Sequence, residues 1–295
     1  MPINPVLPLP IPVVPILPPI LPPVIPIIKP ALPTPIPINP VLPLPIPVVP
    51  ILPPPGFPSL PPVIEPVLPP QIYLNIIGAL DAPPASPDIV IGIIDTGIDI
   101  NNQDLAPYMW HNEDEIPSNG IDDDNNGYID DFMGWDFFEN DNNPQDTFSH
   151  GTHVAGIARN VGGNSRIMTV RAGQGPQLEN MDIYKAIIYA VDNGANVLNL
   201  SFGSRNPSSA IKEAIDYAIG HGVVVVAAAG NYNTEELVYP ANYKGVISVA
   251  ALDSIGEKAS FSSYGTWVDI AAPGVNILSN ALGGGFSVKC GTSMA

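Results

Sequence analysis

The 295-residue sequence has a single cysteine, Cys290, so no intrachain disulfide can form and the fold must be held without covalent staples. Basic side chains are scarce, with 10 Lys and Arg against 28 Asp and Glu, for a formal net charge of −18. An acidic body of this kind repels phosphate, which disfavours nucleic acid and anionic membrane surfaces as partners. No basic segment follows Met1, and no proline-free apolar run near it is long enough for the core of a signal peptide. The sequence as written therefore shows no export signal. Membrane insertion of the apolar N-terminal region is not expected either. Proline recurs there every two to four residues, removing helix donors and clashing with the preceding turn.

Proline is abundant, and 29 of the 39 prolines fall in residues 1–70, where Lys29 and Glu65 are the only charges. Pro2–Pro19 reads PINPVLPLPIPVVPILPP, and Pro37–Pro54 repeats the same 18 residues at an offset of 35. Proline fixes φ and pushes its predecessor into the extended region, so residues 1–70 are expected to form polyproline II, a stiff low-complexity spacer. PxxP spacings also make this segment a candidate ligand for a groove-type, aromatic-lined partner.

Composition changes near Gln71, and residues 71–295 read as one domain. IVIGIID (89–95) is an apolar run closed by a polar residue, as a buried parallel strand would be. RIMTVRA (166–172), ANVLNLSFG (195–203), VVVVAAAG (223–230) and GVISVAAL (245–252) read as further strands. Residues 178–193 and 207–222 show apolar spacings of three and four, with Gly194 and Gly222 at their ends, and read as helices. This alternation predicts an α/β fold with a doubly wound, mostly parallel sheet, whose ligands bind at the carboxyl ends of the strands.

Polar motifs fall at those ends. Asp95-Thr96-Gly97 closes the first strand, SHGTHVAG (149–156) follows later, and GTSMA (291–295) ends the sequence. A serine hydroxyl needs an adjacent base to act as a nucleophile, and imidazole serves near neutral pH. A buried carboxylate then holds the ring in the right tautomer, a task for which an Asp closing an apolar strand is well placed. Asn231 closes another apolar strand, where its amide can point at a developing oxyanion. A zinc pair of His150 and His153 is the competing reading, but no third ligand of suitable spacing accompanies them and HExxH is absent.

The order Asp, His, Asn, Ser resembles the subtilisin-like (subtilase) serine peptidases. So do the strings IIDTGID (93–99), VLNLSFGS (197–204), YPANYKGVISVAALD (239–253), ASFSSYG (259–265) and DIAAPGVNI (269–277). The resemblance implies Asp95 as orienting acid, His150 as general acid/base, Ser293 as nucleophile and Asn231 as oxyanion donor, acting on protein or peptide substrates. It also implies that Ser201, Phe202 and Gly203 pair with substrate backbone, that Ala229 and Gly230 line the specificity pocket, and that the protein acts outside the cell. The competing class is a catalytically inactive subtilase-like protein that binds through its proline-rich arm.

Residues 113–146 carry twelve acidic side chains and no lysine or arginine. Within them, DDDNNG (122–127) fits the D-x-D-x-N-G calcium pattern, with Asp122, Asp124, Asn126, the Tyr128 carbonyl and Asp130 as the expected oxygen ligands. Met133 at the twelfth position rules out an EF-hand, and a solvated acidic loop is the other reading. Inserts similar to this one occur in subtilases. Another calcium site of that family uses an Asp like Asp104 and a long loop after the His-bearing helix, which here is short (161–165).

In the family the nucleophile opens a long helix, whereas here only Met294 and Ala295 follow Ser293. The expectation is a piece of a longer peptidase, with Ser293 on a fraying end. Cys290 is read as a small buried residue, with a reactive thiol near Lys289 as the alternative.

Overall fold

A computed structural model describes residues 69–83, 85–175 and 178–295. The polyproline II reading of residues 1–68, and the groove-type partner attached to it, lie outside the described residues. In chain order the elements are α1 (Pro70–Ile76), β1 (Val90–Asp95), β2 (Gly134–Asp136), α2 (His150–Gly162), β3 (Arg166–Arg171), α3 (Asn180–Asp192), β4 (Val197–Leu200), α4 (Ser209–Gly220), β5 (Val224–Ala228), β6 (Val246–Leu252), β7 (Ile270–Pro273), β8 (Ile277–Asn280) and β9 (Phe286–Lys289). Among these, no helix is long and apolar enough to cross a membrane.

Seven strands form one sheet in the order β2-β3-β1-β4-β5-β6-β7, and every pairing in it is parallel. This is the mostly parallel, helix-flanked sheet that the apolar strand runs predict. β8 and β9 form a separate antiparallel hairpin.

Alternation along β1 shows how the two faces are filled. Val90 and Ile94 join a core with Met168, Leu198 and Val225 from neighbouring strands and Ile187 and Ile215 from α3 and α4. Ile93 turns the other way, into a core with Val154 and Ala155 of α2. Gly92 sits where a Cβ would come within 2.9 Å of Leu198 and 3.4 Å of Ala190, so the missing side chain lets α3 approach the sheet closely.

The helices end where the sequence says they should. Gly194 follows α3 with φ 85°, and the Ala195 amide donates back to the Ala190 carbonyl at 2.9 Å. Ser208 caps α4 by accepting the Ile211 amide. The strand expected over 195–203 stops at Leu200, and the Ser201 carbonyl beyond it accepts the Ser293 hydroxyl instead of continuing the ladder. β2 is only three residues long and lies inside the acidic stretch, so it carries no readable apolar run.

Two helical glycines give opposite expectations. A Cβ on Gly156 of α2 would overlap Ser279 Oγ and Asn280 Oδ1 of β8, whereas one on Gly220 of α4 meets nothing within 4 Å. Gly156→Ala is expected to lose about 1–3 kcal/mol by overpacking, and Gly220→Ala to gain about 0.5 kcal/mol through helix propensity. Chemical denaturation of both variants against the parent checks the contrast, and a stabilised Gly156→Ala would show that α2 does not press on the hairpin.

Candidate active site

At the carboxyl end of β1 Asp95 is 2% exposed, and its Oδ1 accepts the Thr96 amide at 2.7 Å. His150 is the first residue of α2 and stands directly above it. Its Nδ1 lies 2.8 Å from Oδ1 and 3.0 Å from Oδ2 of Asp95. A carboxylate can only accept, so Nδ1–H donates and the Nε2 lone pair is left facing outward as a base. Burial by itself would lower the imidazole pKa, but the charge of Asp95 and its hydrogen bond outweigh that and raise it above 6.5.

Asp146, counted in the sequence only among the acids of the insert, is what holds these two elements together. Its Oδ1 accepts the Thr96 hydroxyl at 3.0 Å and the Phe148 and Ser149 amides at 2.8 and 2.9 Å. Its Oδ2 accepts the amide and hydroxyl of Thr152 at 3.0 and 2.6 Å. The carboxylate therefore ties the residue after Asp95 to the first turn of α2. Gly151 completes the junction, since a Cβ there would overlap the Gly97 carbonyl and come within 3.2 Å of Asp95. An acid just ahead of a helix start, with a threonine inside its first turn, was the capping signal available in the sequence.

Ser293 lies in a single 3₁₀ turn, Thr292–Met294, and this turn is pinned rather than frayed. The Gly291 amide donates to Gly274, and the Thr292 amide and hydroxyl donate to Asn231 Oδ1 at 2.9 and 3.0 Å. Thr292 Oγ1 also accepts the Gly230 amide at 3.0 Å, and Met294 is 3% exposed in the α2-side core. Because Oδ1 of Asn231 is committed to Thr292, its Nδ2 is the end left to donate elsewhere. The Ser293 hydroxyl donates to the Ser201 carbonyl at 2.9 Å. Among the described residues no hydrogen bond joins it to His150. Asp95 with His150, and Asn231 with Thr292, thus form two bonded pairs at one end of the sheet.

The residues expected to meet substrate lie beside this turn. Ser201 is 8% exposed and donates from Oγ to the Ser293 carbonyl at 3.2 Å. Phe202 packs against the α3/α4-side core, and Gly203 faces Val238. Ala229 is fully buried, and the Gly230 carbonyl accepts the Ser263 amide at 2.9 Å.

His153 does not join His150. Its Nε2 lies 3.1 Å from the carbonyls of both Ile277 and Ser287, so it donates there. Burial pushes its pKa down to about 4. Cys290 is exposed, which corrects the expectation of a buried residue. Residues 286, 288 and 290 follow one outward face of the hairpin, and the Cys290 Sγ exchanges bonds with the amide and side chain of Asn276.

In the acidic insert, Glu115, Asp124 and Asp131 converge, with one carboxylate oxygen of each within 4.8 Å of the others. Of the five ligands expected from the sequence, this cluster contains Asp124 alone. Asp122 accepts the amides of Asn126 and Gly127 at 3.0 and 2.8 Å, and Asp130 accepts those of Asn119 and Gly120 at 2.9 Å. The Asn126 side chain donates to Asp124 at 3.0 Å and Asp131 at 3.1 Å. The Tyr128 ring packs tilted or edge-on against Trp135, Phe137 and Tyr189, and the Tyr189 hydroxyl donates to Asp131 at 2.7 Å. Burial, together with the neighbouring carboxylates, raises the pKa of Glu115 and Asp131. Three carboxylates held together, and none of them in an ion pair among the described residues, form a donor set suited to a hard cation. Glu115 and Asp131 escape the D-x-D-x-N-G pattern because folding, not spacing, brings them to Asp124.

Comparison with known proteins gives the family. Residues 86–295 match the Subtilase family, peptidase S8. The chain is 42% identical over 219 residues to a thermophilic serine proteinase of Bacillus sp. (strain AK1), covering 70% of this chain and 48% of the relative. It is 38% identical over 219 residues to thermitase of Thermoactinomyces vulgaris, covering 70% of each. It therefore spans about half the length of the first relative and rather more of the second. Among solved structures, a cold-adapted subtilisin-like serine proteinase superposes with a TM-score of 0.60 at 28% identity, over 72% of this chain and 73% of that one. A sheet of this order, with the Asp95–His150 and Asn231–Thr292 pairs at its rim, and a family match over most of the chain have one reading: the chain belongs to the subtilase family.

Proposed function

We propose that the chain is a serine endopeptidase that hydrolyses peptide bonds through an acyl-enzyme. Its support is the 2.8 Å bond between His150 Nδ1 and Asp95, which joins residues 55 apart and leaves Nε2 free to act as a base. In this reading the Ser293 hydroxyl exchanges its Ser201 acceptor for His150 Nε2 as substrate binds. Oγ attacks the scissile carbonyl while Nε2 takes its proton. The oxyanion is met by Asn231 Nδ2–H and the Ser293 backbone N–H. Collapse of the tetrahedral species breaks the C–N bond, and His150 returns the proton to the leaving amine. Water then repeats the sequence on the acyl-enzyme and restores the free hydroxyl. Asp95 stays ionised and steadies the imidazolium throughout. Ser201–Gly203 would pair with substrate backbone, with Ala229 and Gly230 on the opposite wall. An extracellular site of action belongs to the same proposal and rests on family membership. Detection of the protein inside cells but never in the medium would overturn it.

Calcium is proposed as a structural ion held by Glu115, Asp124 and Asp131. When bound, it would neutralise three carboxylates that otherwise repel one another, and so stiffen the insert.

A fluorophosphonate probe should label the full chain, and Ser293→Ala should abolish labelling. An unlabelled parent chain would overturn the peptidase reading. Asn231→Ala is expected to lower kcat about 10²–10³-fold, the loss known for such a donor in a subtilisin.

The pH dependence follows from His150. Protonated imidazole has no lone pair for the serine proton, so activity is lost at acid pH. kcat/KM should rise with pH through one step whose apparent pKa lies above 6.5. His153, at about 4, is already neutral in that range and adds no step. A midpoint below 6.5 would contradict the Asp95 contribution.

Calcium at 100 times its Kd should stabilise the fold by about 2.7 kcal/mol, roughly 5–10 °C in Tm for a domain of this size. Asp131→Asn should abolish the response, while Asp130→Ala should lower Tm yet keep it. A response lost in Asp130→Ala and kept in Asp131→Asn would favour the ligand set read from the sequence.

A further inference from the structure

His153 takes no part in the proposed chemistry, yet it lies one turn along α2 from His150 and has no exposed surface. Its Nε2 is 3.1 Å from two carbonyls, Ile277 of β8 and Ser287 of β9. A carbonyl can only accept, so the ring carries its proton on Nε2 and shares that N–H between the two strands of the hairpin. Nδ1 then holds a buried lone pair, and among the described residues nothing donates to it. A buried acceptor without a donor costs stability. An apolar side chain would fill the same space without that cost, so what the imidazole adds here is its Nε2–H.

The same stretch of α2 is fastened to the hairpin in two further ways. Ser279 of β8 is fully buried, and its Oγ donates to the His153 carbonyl at 2.8 Å. Almost a turn further along, Gly156 leaves no room for a Cβ beside Ser279 and Asn280. Asp95 and Asp146 hold the start of α2 against the end of β1, but among the described residues neither bonds to β8 or β9. The hairpin in turn leads to the nucleophile. β9 ends at Lys289, the Gly291 amide donates to Gly274, the Thr292 amide donates to Asn231, and Ser293 follows. Base and nucleophile therefore stand on two different elements, and His153 is the α2 side chain that grips both strands of the second.

We propose that His153 is a positioning residue that sets the spacing between His150 and Ser293 by clamping α2 to both strands of the β8–β9 hairpin. The inference rests on the peptidase reading and adds a residue to it. His153 bonds to backbone carbonyls and to no reacting atom, so it acts through where β9 delivers the Ser293 turn. An error of about 1 Å in such a spacing can lower the rate about 10²-fold. Burial pushes the pKa of the ring down to about 4, so the clamp is neutral and intact wherever His150 can serve as a base.

Three variants of the full chain test this. His153→Leu keeps much of the bulk and removes the donor. His153→Gln keeps an N–H at about the reach of Nε2, whereas His153→Asn holds one closer to the backbone and short of the two carbonyls. The Leu and Asn variants should lower kcat on a peptide p-nitroanilide about 10–100-fold and slow fluorophosphonate labelling of Ser293 to match, with little change in KM. The Gln variant should recover most of both rates. All rates are taken on folded protein below the melting point of every variant, so that lost stability alone leaves kcat in place. If the Leu variant does not fold, the Gln and Asn variants carry the comparison. Parental kcat and labelling rates in the folded Leu or Asn variant, or a Gln variant no faster than the Asn variant, would overturn the inference alone. A parent chain that is neither labelled nor able to hydrolyse the substrate would remove the peptidase reading, and this inference with it.

Discussion

A buried carboxylate at the end of one strand has to meet an imidazole at the start of one helix, and the neighbourhood of Asp95 is organised around that meeting. Asp95 is nearly inaccessible to water, so its bond to His150 is made where screening is weak and geometry matters most. Neither partner is placed by its own backbone alone. Asp146 links Thr96 to the first turn of α2 through both of its oxygens, and Gly151 brings that turn against the Gly97 carbonyl. Gly97 has φ 94°, and a Cβ there would come within 2.9 Å of the Asp146 amide, so that contact also depends on a missing side chain. Two absent side chains and one acid with five donors set the distance between Asp95 and His150.

The second bonded pair obeys the same logic with neutral groups. Thr292 satisfies Asn231 Oδ1 twice and accepts from Gly230, so one short turn is held by the strand ends it must serve. A turn this short has no helical cooperativity of its own. Its order comes from those bonds and from Met294, which is buried beneath it.

The acidic insert joins the domain through chemistry of a different kind. Tyr189 belongs to α3 and to the aromatic cluster of Tyr128, Trp135 and Phe137, yet its hydroxyl ends on Asp131. Order in the three-carboxylate cluster is therefore felt by the helix that packs on β1 and β3. The proposed cation would therefore bear on the scaffold at α3.

Much of this was legible from residues alone. Continuous apolar runs such as 89–95 and 223–230 announce buried parallel strands, because both of their faces must be covered. Gly194 and Ser208 mark helix ends because few other residues suit those backbone demands. Asp95, His150, Asn231 and Ser293 could be singled out because each stands where an apolar run or a glycine-rich motif stops. Tertiary structure decided what no spacing encodes. It chose Glu115 and Asp131 as neighbours of Asp124, turned Asp122 and Asp130 to backbone amides, and exposed Cys290. It also gave Asp146 its five donors and turned His153 to both strands of the β8–β9 hairpin. The reason is physical: local sequence dictates periodicity and caps, whereas contacts between residues tens of positions apart exist only once the chain has folded.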